Sequence, residues 1–176
     1  VKKDVFKFDN EKDFEKETWY QFLITTGVRS KDGRNLSAPR RVDFKTGTEE
    51  DITPPVVSQT YPERDQENVC LLDPIQVVFN EPMDVTTLVD EQNSYTEPSH
   101  SFHRFTPNVK TLVASPKNPY QKFRDYQVTL RADLTDGIAD VCGNKLDGNK
   151  NGRSEGSPTD DYSWRFKTGD TLYCDP

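Results

Sequence analysis

The chain is poor in the residues on which most enzyme and metal chemistry depends: its 176 residues include two histidines, three cysteines and one methionine. Cys70, Cys142 and Cys174 show no CxxC spacing and have no histidine close by, which argues against a structural zinc site. One disulfide and one buried thiol fit that pattern better. No apolar run approaches the roughly 20 residues of a membrane helix, so no membrane insertion is expected. Positive charge is also scarce. The formal net charge is −7 and no stretch gathers lysine and arginine on one face. Nucleic acid and anionic membrane surfaces both require concentrated positive charge, so neither is an expected partner. A glycine-rich phosphate loop, a GxSxG elbow and an HExxH pair are all missing as well.

Hydrophobic residues make up 32% of the chain and charged residues 30%. A core can therefore form only where apolar residues are concentrated in short, well-patterned segments. Five such segments stand out: Gln21 to Thr26, Val42 to Lys45, Ile75 to Phe79, Tyr126 to Leu130 and Tyr162 to Lys167. Each is rich in β-branched and aromatic residues and is bounded by Gly, Pro, Asn or Asp, which predicts strands. No segment keeps a helical period over three turns.

The two ends of the sequence resemble each other. Tyr20-Gln21-Phe22-Leu23-Ile24-Thr25 matches Tyr126-Gln127-Val128-Thr129-Leu130-Arg131, and Asp32-Gly33-Arg34-Asn35-Leu36 matches Gly143-Asn144-Lys145-Leu146. Val42-Asp43-Phe44-Lys45-Thr46-Gly47 matches Trp164-Arg165-Phe166-Lys167-Thr168-Gly169 in the same order. Repetition of this kind is a sign of consecutive modules. The offset grows along the match, and most of the extra length in the second copy lies between Leu146 and Tyr162. The predicted organisation is the C-terminal part of one module at 1–47, a linker at 48–55, a complete module at 56–169 and the start of a further linker at 170–176. The linker reading rests on the acidic stretch ending in Pro54-Pro55, because consecutive prolines stay extended and stiff. Half a sandwich exposes strand edges and one face of a core. The missing strands are expected either from a longer array of which this is a piece, which is the preferred reading, or from a neighbouring molecule.

Several elements of the second copy carry a family resemblance. These are Pro54-Pro55-Val56-Val57, the run Ile75-Gln76-Val77-Val78-Phe79-Asn80-Glu81-Pro82-Met83-Asp84, Tyr126 to Leu130, Gly143-Asn144 and Phe166-Lys167-Thr168. Together they resemble the bacterial Ig-like module of S-layer type (SbsA Ig-like) over nearly all of 52–169, with Leu88 to Lys110 departing from the pattern. The resemblance implies an all-β fold of immunoglobulin or fibronectin-III-like sandwiches in tandem. Alternation agrees with it: Val77 and Phe79, then Tyr126, Val128 and Leu130, then Trp164 and Phe166 each fall on one strand face. In a seven-strand sandwich the last strand ends where the second begins. Cys70 and Cys174 should then meet as a disulfide, with Cys142 packed at the opposite end.

The insertion at 147–161 holds the candidate site. Asp147, Asn149 and Asn151 place oxygens at alternate positions, glycine is sixth, the backbone carbonyl of Arg153 is seventh and Glu155 is ninth. Calcium takes six to eight oxygens, and a curling chain presents them in this order. Pro158 stands where a bidentate glutamate would close such a loop, so Asp160 or Asp161 is expected to supply that carboxylate. The competing reading is a plain Asx- and Gly-rich turn.

Other constellations are weaker. His100 and His103 read as two solvated loop histidines. Glu81, Met83 and Asp84 read as a turn that ends a strand, not as catalytic carboxylates, which would need to face each other across a cleft. Tyr95, Phe102, Phe105 and Tyr120 are either core and loop anchors or a protein- or glycan-binding surface. The reading that follows is a non-catalytic, calcium-stabilised structural or spacer module of a bacterial secreted or cell-surface protein. Its expected partners are neighbouring Ig-like modules of the same polypeptide. The alternative is an adhesin or carbohydrate-binding module that presents a ligand surface from 88–120.

Overall fold

The structure, a computed structural model, describes residues 13–174. They divide into two compact units, one up to Asp51 and the other from Ile52. In chain order the first unit contains β1 (Trp19–Ile24) and β2 (Arg40–Lys45). The second contains β3 (Val57–Tyr61), β4 (Gln66–Val69), β5 (Ile75–Phe79), α1 (Val85–Val89), β6 (Ser94–Glu97), β7 (Phe102–Asn108), β8 (Thr111–Pro116), β9 (Asp125–Leu130) and β10 (Tyr162–Thr168). Apart from the single-turn helix α1, every regular element among the described residues is a strand. The turn after β5 runs into α1, where Asp84 caps the helix by accepting the Thr86 N–H at 3.0 Å.

The unit from Ile52 is built from two four-stranded sheets, ordered β4-β10-β9-β6 and β3-β5-β8-β7. All pairings are antiparallel except β4 with β10. Strand alternation drives the arrangement, because side chains two apart share a face and the apolar face of each sheet must be covered. Val57, Val77, Phe79 and Leu112 from one sheet and Tyr126, Val128, Leu130, Trp164 and Phe166 from the other are all buried. At about 1.5–3 kcal/mol per fully buried large side chain, this layer dominates the stability of the unit. The Trp164 indole N–H reaches the Pro62 carbonyl at 2.9 Å, so the largest core side chain buries no unsatisfied donor.

At the β6–β7 side Arg104 seals the seam between the sheets. Its side chain is 7% exposed and lies over the Phe102 ring, while Nε and a terminal nitrogen donate to Ser94 Oγ and the Ser94 carbonyl at 2.9 and 2.6 Å. A buried guanidinium is tolerated here because its donors meet fixed oxygens and Glu91 sits 3.6 Å away.

The unit up to Asp51 has one antiparallel sheet, β1 with β2, in the register Tyr20 opposite Phe44 and Phe22 opposite Val42. Its charged face carries the Arg41–Asp43 ion pair at 2.9 Å.

Candidate metal centre

The 147–161 loop leaves the core at Leu146, which is fully buried and bonded through its N–H to the Ile138 carbonyl. The Asp147 N–H then donates to the Pro55 carbonyl at 2.9 Å, which ties the loop to the chain just before β3. Asp147 is 1% exposed, and its carboxylate accepts the backbone N–H groups of Asn151 and Gly152 at 3.1 and 2.6 Å. Positive φ at Lys150 and Gly152, +62° and +83°, turns the chain back on itself. Gly148 sits where the two ends of the loop cross: a Cβ there would lie 2.0 Å from the Asp160 carbonyl oxygen.

Asn149 and Asn151 form successive side-chain turns. Asn149 Oδ1 accepts the Asn151 N–H at 3.0 Å, and Asn151 Oδ1 accepts the Arg153 N–H at 2.9 Å. Their amide nitrogens face the other end of the loop. Asn149 Nδ2 lies among three oxygens: Asp160 Oδ1 at 2.8 Å, and Glu155 Oε2 and the Thr159 carbonyl at 3.3 Å each. Asn151 Nδ2 donates to the same Glu155 Oε2 at 2.5 Å. Asp160 is fully buried, and its second oxygen accepts the N–H groups of Glu155 and Gly156. The positive ends of two amides thus stand where carboxylate and carbonyl oxygens converge. Each Asn Oδ1 keeps a lone pair beyond its turn bond. Of the loop's oxygens, those of Glu155, Asp160 and the Thr159 carbonyl meet around the Asn149 amide, whereas those of Asp147, Asn149 and Asn151 accept backbone N–H groups of the turn.

One of the two predicted closing carboxylates is placed differently. Asp161 belongs elsewhere, since its oxygens accept the Ala132 N–H and the Ser157 hydroxyl, both at 2.8 Å. Adjacent residues point opposite ways as the chain straightens into β10, so only Asp160 turns into the loop. The Arg153 N–H is bonded to Asn151 Oδ1. The Thr159 carbonyl near Asn149 Nδ2 was not among the predicted donors, because it lies outside the Asp-x-Asn-x-Asn-Gly order that marked the others.

Elsewhere the structure joins Cys70 to Cys174, with Cα atoms 5.7 Å apart. Cys142 is exposed, contrary to the expectation of a packed thiol, because it sits at the tip of the turn organised by Asp140, whose Oδ1 accepts the Cys142 and Asn144 N–H groups. Of the four aromatics proposed as a ligand surface, Phe102 and Tyr120 are 3% exposed and belong to the core. Tyr95 and Phe105 are exposed, on strands of different sheets. His100 is half-buried, not solvated: its ring packs 4.7 Å from Tyr120 and its Nε2 pairs with the Asn118 carbonyl, while His103 lies exposed on β7. Met83 is buried and Asp84 is spent on the helix cap. Burial, followed by the bond to Asp73 Oδ2 at 2.6 Å, pushes the Tyr61 phenol up to about 12.

Residues 51–168 match a family described as the bacterial Ig-like domain. No curated protein matches the chain significantly. Among solved structures, L,D-transpeptidase 3 from Mycobacterium tuberculosis is 14% identical over 65% of this chain and 37% of its own, with a TM-score of 0.39. An L,D-transpeptidase from Mycobacterium smegmatis is 14% identical over 66% and 41%, with a TM-score of 0.42. The N-terminal part of the bacterial S-layer protein SbsC is 14% identical over 66% and 24%, with a TM-score of 0.39. The chain thus spans less than half the length of each of these structures.

Proposed function

The chain belongs to the bacterial Ig-like domain family, and from that premise we propose that it is a non-catalytic structural module, stabilised by calcium, that spaces other parts of a bacterial secreted or cell-surface protein. Its partners on this reading are neighbouring Ig-like modules of the same polypeptide, of the S-layer type that its Phe-x-Glu-Pro-Met-Asp element resembles. One observation carries the calcium proposal. The oxygens of Glu155, Thr159 and Asp160 converge on the weakly positive end of the Asn149 amide, with the Asn151 amide beside it on Glu155. A divalent cation there would replace two neutral amide contacts with direct coordination by two carboxylates. The spacer proposal is supported by the buried fate of Phe102 and Tyr120, which takes half of the candidate contacts away from the adhesin alternative.

The test is a thermal melt with excess calcium and with EDTA, comparing the wild type with Glu155→Gln. Glu155 is exposed and accepts only side-chain amides here, so its replacement should leave the apo fold nearly unchanged. Calcium at about 100 times its dissociation constant should add about 2.7 kcal/mol, read as a rise of several degrees. The variant should lose most of that rise. Coincident wild-type curves would reduce the loop to a turn insertion and end the calcium proposal.

A further inference from the structure

The short unit up to Asp51 repeats, bond for bond, a structural knot that the larger unit places in its core. Tyr126 Oη accepts the Gln121 N–H at 3.1 Å, and Tyr20 Oη accepts the Glu15 N–H at 2.8 Å. Thr168 Oγ1 accepts the Arg124 N–H at 2.9 Å and donates to the Gln121 carbonyl at 2.6 Å; Thr46 Oγ1 accepts the Thr18 N–H at 2.9 Å and donates to the Glu15 carbonyl at 2.5 Å. Phe123 and Glu17 share φ near +53° and +50°, and each donates to a glycine carbonyl, Gly169 and Gly47. The rings agree too. Tyr126 stacks on Phe166 at 5.6 Å and Tyr20 on Phe44 at 5.8 Å, while Tyr120 and Phe14 each meet the pair edge-on or tilted. Even the cross-strand volumes are conserved by exchange. Val128 faces Trp164 in one hairpin, and Phe22 faces Val42 in the other.

What differs is burial. Tyr120 and Trp164 are 3% and 1% exposed beneath the sheet β3-β5-β8-β7, whereas their counterparts Phe14 and Val42 are 48% and 54% exposed. Among the described residues the unit up to Asp51 contains no second sheet. A lone two-stranded hairpin is marginal in water, yet this one carries the full inner-face pattern of a sandwich.

We infer that the β1–β2 face bearing Phe14, Tyr20, Val42 and Phe44 is the inner face of a further Ig-like sandwich, covered by a four-stranded sheet built like β3-β5-β8-β7 and supplied by the same polypeptide ahead of Asp13. The direction follows from the larger unit, in which every covering strand precedes β9 and reaches it through the segment 117–124. The first unit preserves the end of that segment, at 13–18, with the same bonds. The edges match as well: β10 takes β4 in parallel and β9 takes β6, so the outer edges of β2 and β1 are the places for strands of the same kind. Two copies of the hairpin placed face to face would bury the rings but leave all four edges open. The inference rests on the reading of the chain as one of a series of modules and is independent of calcium.

Hydrogen exchange read by mass spectrometry tests it, on residues 1–176 at low and high protein concentration and on the natural polypeptide at its full length. Amides of 19–24 and 40–45 should exchange at least about 100-fold more slowly in the full-length polypeptide, approaching those of 125–130. Val42→Asp should abolish that gain and leave 125–130 unchanged. Equal exchange of the hairpin in both chains, a gain that survives Val42→Asp, or protection of 1–176 that rises with concentration as a dimer forms would each overturn the inference. Because the readout is confined to the hairpin, its failure is separable from that of the calcium melt, which reports on the unit from Ile52.

Discussion

Removing the Cys70–Cys174 disulfide should destabilise the larger unit strongly. The bridge closes a sequence separation of 104 residues, which contains β5 to β10. In the chain-entropy account, a loop of this length restricts the unfolded state by about 4.7 kcal/mol, an upper value. For a unit of this size each kcal/mol shifts the melting temperature by about 4 °C, so the full effect would be about 15–20 °C. Part of it is offset by what remains. Leu71 and Leu72 N–H groups still bond the carbonyls of Thr171 and Leu172 at 2.9 and 3.1 Å, so the C-terminal segment stays paired beside the end of β4 without the sulfurs. The assay is differential scanning calorimetry of Cys70→Ala/Cys174→Ala against the wild type, with Cys142→Ser in both backgrounds to prevent thiol exchange. Reductant should bring the wild type down to the double variant and leave the variant where it is. A drop of less than about 3 °C would refute the reasoning. It would mean that the C-terminal segment detaches without consequence and that the bridge constrains little of the unfolded chain.

Two further outcomes follow from single positions. Gly148→Ala should cost about 2–4 kcal/mol, because the added Cβ meets backbone atoms of Asp160 and Tyr162 at 2.0–2.9 Å and neither strand end can move without opening the loop; urea unfolding with an unchanged midpoint would contradict this. On the alkaline side, the Tyr61 pKa is raised in the folded state, so its contribution is complete below the ordinary phenol range and is lost as pH rises through about 12. Tyr61→Phe should therefore flatten the fall in stability between about pH 10 and 12 by a small amount, since Tyr61 is 36% exposed, and superimposable pH–stability curves would remove the Tyr61–Asp73 bond from the argument.

Strands whose alternate residues are large and apolar were legible in the sequence. Ile75 to Phe79, Tyr126 to Leu130 and Tyr162 to Lys167 lie within one residue of β5, β9 and β10. Five strands escaped notice, β7 and β8 among them; the other three, β3, β4 and β6, read Val-Ser-Gln-Thr-Tyr, Gln-Glu-Asn-Val and Ser-Tyr-Thr-Glu. They lie at sheet edges and bury small or polar side chains such as Ser94 and Thr96, so hydrophobic alternation has nothing to detect. Tyr120 was misplaced for a related reason. It sits in an irregular segment where no period assigns a face, and only the alignment of Tyr20 with Tyr126, extended back to Phe14, would have marked it as a core position. In the loop, the order of Asp, Asn and Gly identified the residues that turn inward, but Asp160 and Asp161 are neighbours of the same chemistry. Their separation depends on the direction in which β10 begins, which only the three-dimensional fold supplies.

The position of the 147–161 loop bears on what a cation there would accomplish. In the short unit the matching stretch, between Leu36 and Arg40, is three residues long, so the longer segment is an addition to the hairpin and not part of its core. It fastens three separate places. Asp147 holds the Pro55 carbonyl, Asp161 holds the Ala132 N–H just past β9, and the Ser154 hydroxyl holds the Lys145 carbonyl. Pro55 is followed at once by Val56, which exchanges bonds with Asn80 at 2.8 and 3.1 Å. A cation that fixes Asp147 relative to Glu155 and Asp160 would therefore also fix the segment by which the polypeptide enters the sandwich. Binding energy confined to a surface turn would raise stability and change little else. Placed here, it would resist the detachment of the segment leading into β3, because Asp147 is bonded to the Pro55 carbonyl.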